Sequence, residues 1–217
     1  MSSDTIAKLI VLAIMLLVAF PVHEFSHALA AYRLGDGTAK LFGRLTLNPI
    51  AHFDPLGGTL LAVSMLFSGF GFGWAKPTPV NPMNLRGGRQ GEALVAVAGP
   101  LSNFIMACAG ALVFRLLGLF DVAVPGLFVD VIYYFVLINL SLMLFNLVPV
   151  PPLDGSKVLF GLLPPRVAWR WRPVLEQYGG VILMIAIFLP VVPGGGTLFG
   201  WVFRLLLGPL LSLLLGL

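Results

Sequence analysis

The sequence predicts an all-α integral membrane protein, a polytopic bundle of about five or six helical segments with a re-entrant or loop region. Of its 217 residues, 59% are hydrophobic and only 10% are charged, far from the composition of water-soluble domains. Several apolar stretches also reach the roughly 20 residues that a helix needs to cross the hydrocarbon core. We therefore expect a single membrane-embedded domain covering residues 1–217, with the lipid bilayer as its solvent.

The first apolar segment, about residues 5–33, predicts one long helix. It lacks the small-residue cleavage site of a signal peptide, so we expect it to be retained. Pro21 lies within it, where the missing N–H and the ring should kink the helix just before His23. The polar connection that follows, about residues 35–57, contains a strand-like or loop-like run at 44–49.

Further apolar stretches account for the rest of the bundle. They cover about residues 59–74, 91–119, 126–146, 178–193 and 197–217. The first of them is short and ends in a glycine-rich run, which is poor material for a helix. The stretch at 126–146 breaks at a proline cluster, and the last two predict a closing helical hairpin around the glycines at 194–196.

Lysine and arginine are concentrated in three short connections, which set the predicted orientation. These are residues 33–44, 76–89 and 157–172, whereas the connection at 120–130 has two aspartates and no basic residue. The positive-inside rule places the three basic connections in the cytoplasm, and this requires residues 59–74 to re-enter rather than span. The sequence alone leaves both possibilities open. The net charge of +4 is spread over these loops and does not favour nucleic acid as a partner.

The end of the first helix carries a motif with chemistry. Residues 23–27, His-Glu-Phe-Ser-His, match H-E-x-x-H, whose i, i+4 spacing puts His23 and His27 on one helical face, able to bind one zinc ion. Glu24 would then be the general base. Ionisable residues in an apolar segment are costly and mark a functional site by default, so we expect a hydrolytic metal centre here.

A hydrolytic zinc needs a third protein ligand and an open position for water. His52 and Asp54 are candidates in the polar loop, although a solvated or capping role also explains them. Asp154 follows the proline-broken helix, and irregular backbone at membrane depth is tolerated only in buried or cavity-lining positions. Parallel helices would bring it to the depth of the two histidines near the cytoplasmic face, so Asp154 is favoured over a simple turn at the membrane edge.

These residues resemble the two signatures of the site-2 proteases, a family of intramembrane zinc metalloproteases. One is H-E-x-x-H at 23–27, and the other is N-x-x-P followed by L-D-G at 146–155. Residues 73–82 and 98–103 further resemble the compact bacterial branch of that family, which lacks PDZ and CBS domains. The resemblance covers nearly the whole chain.

The resemblance implies a three-helix catalytic core within about residues 5–155, with one zinc ion per chain held by His23, His27 and Asp154. It implies a catalytic role for Asn146 beside the scissile carbonyl, with capping of its own helix end as the alternative. It also implies that Asn103 contacts substrate, with packing or backbone bonding as the alternative.

The implied function is intramembrane proteolysis near the cytoplasmic side of a bacterial inner or plasma membrane, with a transmembrane protein as substrate. The alternative is a non-proteolytic zinc-binding membrane protein, either a transporter or a pseudoprotease. A transporter usually has ionisable groups along a path, and the remaining apolar segments offer only Arg115 and Arg204 well inside them. A pseudoprotease would typically have lost Glu24 or a ligand. Substrate identity, regulation and oligomeric state are not specified by the sequence.

Overall fold

The structure is a computed structural model that describes residues 3–68, 71–192 and 196–216. This part of the chain is mostly helical, and four of its helices are long and apolar enough to cross a membrane. They are Thr5–Arg33, Gly88–Leu119, Gly126–Asn146 and Leu198–Leu215. The predicted all-α polytopic fold is thus confirmed.

The first spanning helix has three parts. They are α1 (Ser3–Ile14), a π-helical segment (Met15–Ala19) and α2 (Phe20–Arg33). The N–H of Phe20 donates to the carbonyl of Met15, five residues back rather than four. Pro21 follows at once, and this wider turn gives its ring room against the preceding turn. The structure therefore has a π-helical turn where the sequence predicted a proline kink.

Two short helices, α3 (Thr38–Leu41) and α4 (Pro49–His52), occupy the connection in which a strand-like or loop-like run was predicted. The Asn48 side chain accepts a hydrogen bond from the N–H of Ile50, and proline at the first position suits a helix start. Asn48 and Pro49 therefore explain why a helical turn begins at this point.

Helix α5 (Pro55–Ser68) resolves whether residues 59–74 cross the membrane. At about 1.5 Å per residue its 14 residues span about 21 Å, less than the roughly 30 Å hydrocarbon core. The chain then returns along the same helix, because the N–H of Phe72 donates to Ser64 Oγ at 2.8 Å. Gly73 packs so tightly on Gly57 that an added Cβ would lie 2.4 Å from the Gly57 carbonyl. The segment therefore folds back on itself, which is the shape expected of a re-entrant segment, and residues 69 and 70 of its glycine-rich run lie outside the described part.

Helix α6 (Gly88–Leu119) is the centre of the bundle. It packs against α2, against α7 (Gly126–Asn146) and against α8 (Asp154–Leu162). Ala107 and Ala111 are buried at its contact with α7, and small residues of this kind let membrane helices approach closely. Helix α6 runs antiparallel to α2, while the first helix and α7 run parallel, as the orientation argument required.

The C-terminal region differs from the predicted hairpin. Helix α9 (Pro165–Phe188) begins well before the apolar stretch at 178–193, and strands β1 (Pro190–Val192) and β2 (Gly196–Thr197) connect it to α10 (Leu198–Leu215). Residues 193–195 of the predicted glycine-rich turn lie outside the described part. Arg172 of α9 forms a bidentate ion pair with the buried Glu92 of α6, with both N–O distances 2.8 Å. This ion pair holds the arginine-rich first half of α9 against α6.

The basic connections lie together at one end of the bundle. The N–H of Arg86 donates to the carbonyl of Leu34 at 2.8 Å, which joins the connection after α2 to the connection before α6. Asp36 strengthens this junction by accepting hydrogen bonds from Thr38, Asn81 and Asn84. Burial raises the pKa of Asp36, but these hydrogen bonds outweigh it and hold the pKa below its ordinary value.

Candidate metal centre and active site

Three side-chain atoms converge between α2 and α8. The Nε2 atoms of His23 and His27 lie 3.0 Å apart, and Asp154 Oδ2 lies 3.2 Å from the first and 3.1 Å from the second. All three residues are buried. At zinc–ligand distances of about 2.0–2.1 Å, tetrahedral ligands are about 3.3 Å apart, so the spacing fits one zinc ion.

The hydrogen bonds behind the histidines show that the donor set suits a cation. His27 Nδ1 lies 2.7 Å from the Val95 carbonyl, which can only accept, so Nδ1 carries the proton and Nε2 presents a lone pair. His23 Nδ1 likewise donates to Asn103 Oδ1 at 2.6 Å. Two lone pairs and a carboxylate oxygen therefore face one another, an arrangement that repels itself unless a cation lies between them.

Gly99 of α6 forms one wall of this centre. An added Cβ would lie 2.3 Å from His27 Nε2 and 2.6 Å from His23 Nε2. Because real Cβ atoms do not approach this closely, any side chain here would displace the ligand atoms. Glycine allows the central helix to pass directly beside the metal position.

The irregular backbone after α7 places Asp154. Asp154 is the first residue of α8, and the chain folds back so closely that a Cβ on Gly155 would lie 2.2 Å from the Leu147 carbonyl. The second carboxylate oxygen, Oδ1, lies 4.0 Å from Lys157 Nζ. The proline-rich break thus turns the end of one membrane helix into the start of a short buried helix.

Glu24 lies beside the three ligands rather than among them. Its Oε2 atom accepts a hydrogen bond from the N–H of Thr78 at 2.7 Å, and the Thr78 hydroxyl donates to the Glu24 carbonyl at 2.9 Å. The segment that follows α5 and includes Phe72, Gly73 and Thr78, here called the returning segment, therefore holds the glutamate in place. The carboxylate can take up a proton next to the metal position.

A cavity of about 880 Å³ opens onto the centre. Its walls come from α1, α7, α10 and the returning segment, and they are mostly apolar. His23, Glu24 and Asn146 are among its polar lining residues. The cavity is therefore an apolar space that ends at the predicted chemical groups, as a site for a membrane-embedded chain would be.

The two predicted asparagines occupy different environments. Asn146 lines the cavity, and its amide nitrogen donates to the Leu142 carbonyl at 3.0 Å, which stabilises the end of its own helix. Asn103 is fully buried between helices, and its side chain is hydrogen bonded on both sides, to His23 and to Asn139. The substrate contact of Asn103 stays a prediction.

Asn139 is a buried polar residue that sequence reasoning missed. It lies on α7 with 0% exposure and contacts Asn103. A signal was present, because an amide in the middle of an apolar membrane helix usually faces the bundle interior and takes part in function. Its partner depends on how α6 and α7 pack, which no local pattern reveals.

His52 and Asp54 lie apart from the three converging atoms. His52 Nε2 donates to the Thr46 carbonyl at 2.8 Å, and the histidine is buried at the end of α4. The Asp54 side chain accepts from the N–H of Gly57 at 2.8 Å and caps α5. Within the described residues, the group that can hold a metal consists of His23, His27 and Asp154.

Comparisons with known proteins indicate the class of enzyme to which this chain is similar. The model of the family described as Peptidase family M50 matches residues 118–192. YwhC of Bacillus subtilis, which is named as a zinc metalloprotease, is 40% identical over 184 residues, covering 83% of this chain and 81% of YwhC. Rip2 of Mycobacterium tuberculosis, also named as a zinc metalloprotease, is 32% identical over 190 residues, covering 86% of this chain and 68% of Rip2. No solved structure matches.

The two relatives and the donor set lead to the same conclusion. Both relatives match most of this chain and most of their own length. Their names specify zinc, and the two histidines and one aspartate are ligands that zinc accepts. The chain belongs to peptidase family M50, the family of the site-2 proteases, and is a multi-pass membrane zinc metalloprotease.

Proposed function

We propose that this protein hydrolyses peptide bonds of transmembrane proteins inside the bilayer, near the cytoplasmic side of the bacterial inner or plasma membrane. The observation that carries the proposal is that Glu24 and His23, one of the three converging residues, line a mostly apolar cavity. A soluble substrate would not need an apolar cavity formed by membrane-spanning helices. Residues 1–217 act as one catalytic unit in this proposal.

The proposed ligands of the zinc ion are His23, His27 and Asp154. A zinc ion held there would act as a Lewis acid, which would polarise a carbonyl and lower the pKa of water toward 7. Glu24, held by Thr78, takes the proton of the attacking water and passes it to the leaving nitrogen. Asn146 lines the same cavity, where its amide orients the scissile carbonyl.

We also infer that the returning segment after α5 holds the substrate. A transmembrane helix hides its carbonyls in hydrogen bonds, so it has to unwind locally before cleavage. Gly73 and Ala75 line the cavity, and within the described residues their backbone N–H and C=O groups have no hydrogen-bond partner. An unwound substrate strand can add to this edge through main-chain hydrogen bonds.

The experiment compares purified wild-type protein with Glu24→Gln. We expect about one zinc ion per chain in both proteins by elemental analysis, because Glu24 is not among the three ligands. Cleavage of a transmembrane peptide by Glu24→Gln should fall at least about 100-fold, since it loses the general base.

A matched control is Glu176→Gln, which changes an exposed glutamate on α9 and should leave cleavage unchanged. Undiminished cleavage by Glu24→Gln would remove the proposed base. If the protein binds zinc and cleaves soluble peptides, but shows no Glu24-dependent cleavage of any transmembrane peptide, the proposed substrate class is wrong.

A further inference from the structure

A chain of buried hydrogen bonds runs away from the metal centre through α6 and α7. His23 Nδ1 lies 2.6 Å from Asn103 Oδ1, Asn103 Nδ2 lies 2.9 Å from Asn139 Oδ1, and Asn139 Nδ2 lies 2.8 Å from the Phe135 carbonyl. Both asparagines have 0% exposure. This series of hydrogen bonds therefore ends inside the protein, at the Phe135 carbonyl.

The Phe135 carbonyl fixes which atoms donate and which accept along this series of hydrogen bonds. The Phe135 carbonyl can only accept, so the Asn139 nitrogen must point to it and the Asn139 oxygen must point to Asn103. That oxygen in turn requires the Asn103 nitrogen, which leaves the Asn103 oxygen for His23. Each amide orientation follows from the previous one, and the last step places the proton on His23 Nδ1.

The orientation of His23 depends on these hydrogen bonds, whereas that of His27 does not. His27 Nδ1 is held directly by the Val95 backbone carbonyl, which has one possible role. His23 is held by an amide that can rotate and offer its nitrogen instead of its oxygen. If Asn103 rotated, its NH₂ would face His23 Nδ1, the proton would move to Nε2, and the lone pair directed at the zinc position would be lost.

We propose that Asn139 is a positioning residue that fixes the Asn103 amide so that His23 presents an unprotonated Nε2 to the zinc ion. The inference rests on the proposed role of His23 as a ligand. Asn139 itself touches neither the ligand atoms nor the cavity. Its role requires a side chain that donates to the Phe135 carbonyl and accepts from Asn103.

The first test compares Asn139→Thr with Asn139→Val, two side chains of nearly equal shape. A threonine hydroxyl can bond to the carbonyl four residues earlier, which is Phe135, and still accept from Asn103. We expect the zinc dissociation constant, measured by chelator competition in detergent, to rise about 10- to 100-fold in Asn139→Val. Asn139→Thr should stay close to wild type, and equal constants for the two variants would overturn the proposal.

The second test replaces the rotatable amide by a group with two equivalent acceptors. Asn103→Asp, combined with Asn139→Val, should recover most of the lost zinc affinity, because a carboxylate accepts from His23 Nδ1 in either orientation. A purely structural role for Asn139 predicts added losses instead, and that result would contradict the inference. Leu140→Ala, a packing change at the next residue, should leave the zinc constant unchanged.

A third variant separates this inference from the proposed function. His23→Ala should lose zinc whether or not Asn139 acts as proposed. Zinc loss in His23→Ala with no effect of Asn139→Val would reject the positioning role alone. Undiminished zinc binding by His23→Ala would reject the ligand assignment on which both proposals depend.

Discussion

The absence of a side chain at Gly99 leaves the space that the Nε2 atoms of His23 and His27 occupy. Replacement by alanine should lower zinc affinity about tenfold or more, because the new Cβ would push against the Nε2 atoms of both histidines. The fold should persist, since those atoms are the far ends of side chains and alanine favours helices by about 1 kcal/mol over glycine. Zinc titration with parallel thermal unfolding would measure both effects.

Gly118→Ala is the matched control, since Gly118 lies in the same helix and an added Cβ there meets open space. It should gain helix stability and bind zinc normally. Equal zinc affinities for the two alanine variants would mean that the histidines have more freedom than the contacts at Gly99 indicate.

The candidate site was predictable where its residues depend on local geometry. The positions of His23 and His27 on one face follow from helical spacing alone, and Glu24 follows from the same motif. Asp154 required an argument about broken backbone in a membrane, which left alternatives open. Asn139 depends on the packing of α6 against α7, and that arrangement is not encoded in any short pattern.

At the scale of elements, the π-helical segment aligns two halves of the first helix. Ala7 and Val11, before this segment, line the cavity together with Met15, its first residue, and His23 and Glu24 line the cavity after it. In an uninterrupted α-helix these two sets would face directions that differ by about 100° or more. A π turn uses about one residue more than an α turn, and this extra residue brings both sets to one wall.

Deletion of Leu17 from the π-helical segment should therefore be tolerated. The remaining residues can form an ordinary α turn with the same overall rotation, and Leu17 is an exposed side chain. Insertion of one alanine at the same point should reduce cleavage at least about tenfold, because it rotates α1 by about 100° away from the cavity. Cleavage assays with zinc content as a folding check would compare the two, and equally damaging changes would contradict the alignment role.

Asp36 connects the end of α2 to the turn before α6, and its contribution to stability depends on pH. Its folded pKa lies below its ordinary value, so the stabilisation is present above the unfolded pKa of about 3.9 and is lost as pH falls through the folded pKa. Asp36→Asn should lower the thermal midpoint at pH 7, and the difference from wild type should shrink below about pH 4. A constant difference across this range would show that the carboxylate charge is not what stabilises the junction.

Element boundaries were predictable for the apolar helices and less so elsewhere. The segments at 91–119 and 126–146 correspond to α6 and α7, because long apolar runs in a membrane have few alternatives. Helix α9 was not predicted in full, since its first half is rich in arginine and docks through the pair between Arg172 and Glu92. That pair joins residues 80 positions apart, beyond the reach of local periodicity.

At the scale of the whole molecule, the three basic connections predict which end of the bundle faces the cytoplasm. Single cysteines can test this in a Cys108→Ala background with a membrane-impermeant maleimide on intact cells. Val122→Cys should be labelled directly, whereas Met83→Cys should react only after permeabilisation, because the basic connections stay in the cytoplasm.

The protein with Cys108→Ala and no added cysteine controls for background labelling. The reverse pattern would place the metal centre near the outer face. Labelling of both positions on intact cells would instead contradict the four-span arrangement.

Arg115 illustrates how charges inside the bundle serve its architecture. Its guanidinium donates to the carbonyls of Leu213 and Leu214, the last turn of α10. A cation suits the carboxyl end of a helix, where carbonyls lack partners. This contact links the central helix to the final one and gives Arg115 a structural partner rather than a place on an ion path.

The distance in sequence between the proposed zinc ligands also limits when the metal centre can form during biosynthesis. His23 and His27 enter the membrane with the first helix, whereas Asp154 follows 127 residues after His27. A nascent chain that has inserted only its first two spanning helices holds two histidines and Glu24 but lacks the third ligand. The ribosome must therefore deliver more than two thirds of the chain before the three proposed ligands can meet, so the proposed metal centre cannot form in an unfinished protein.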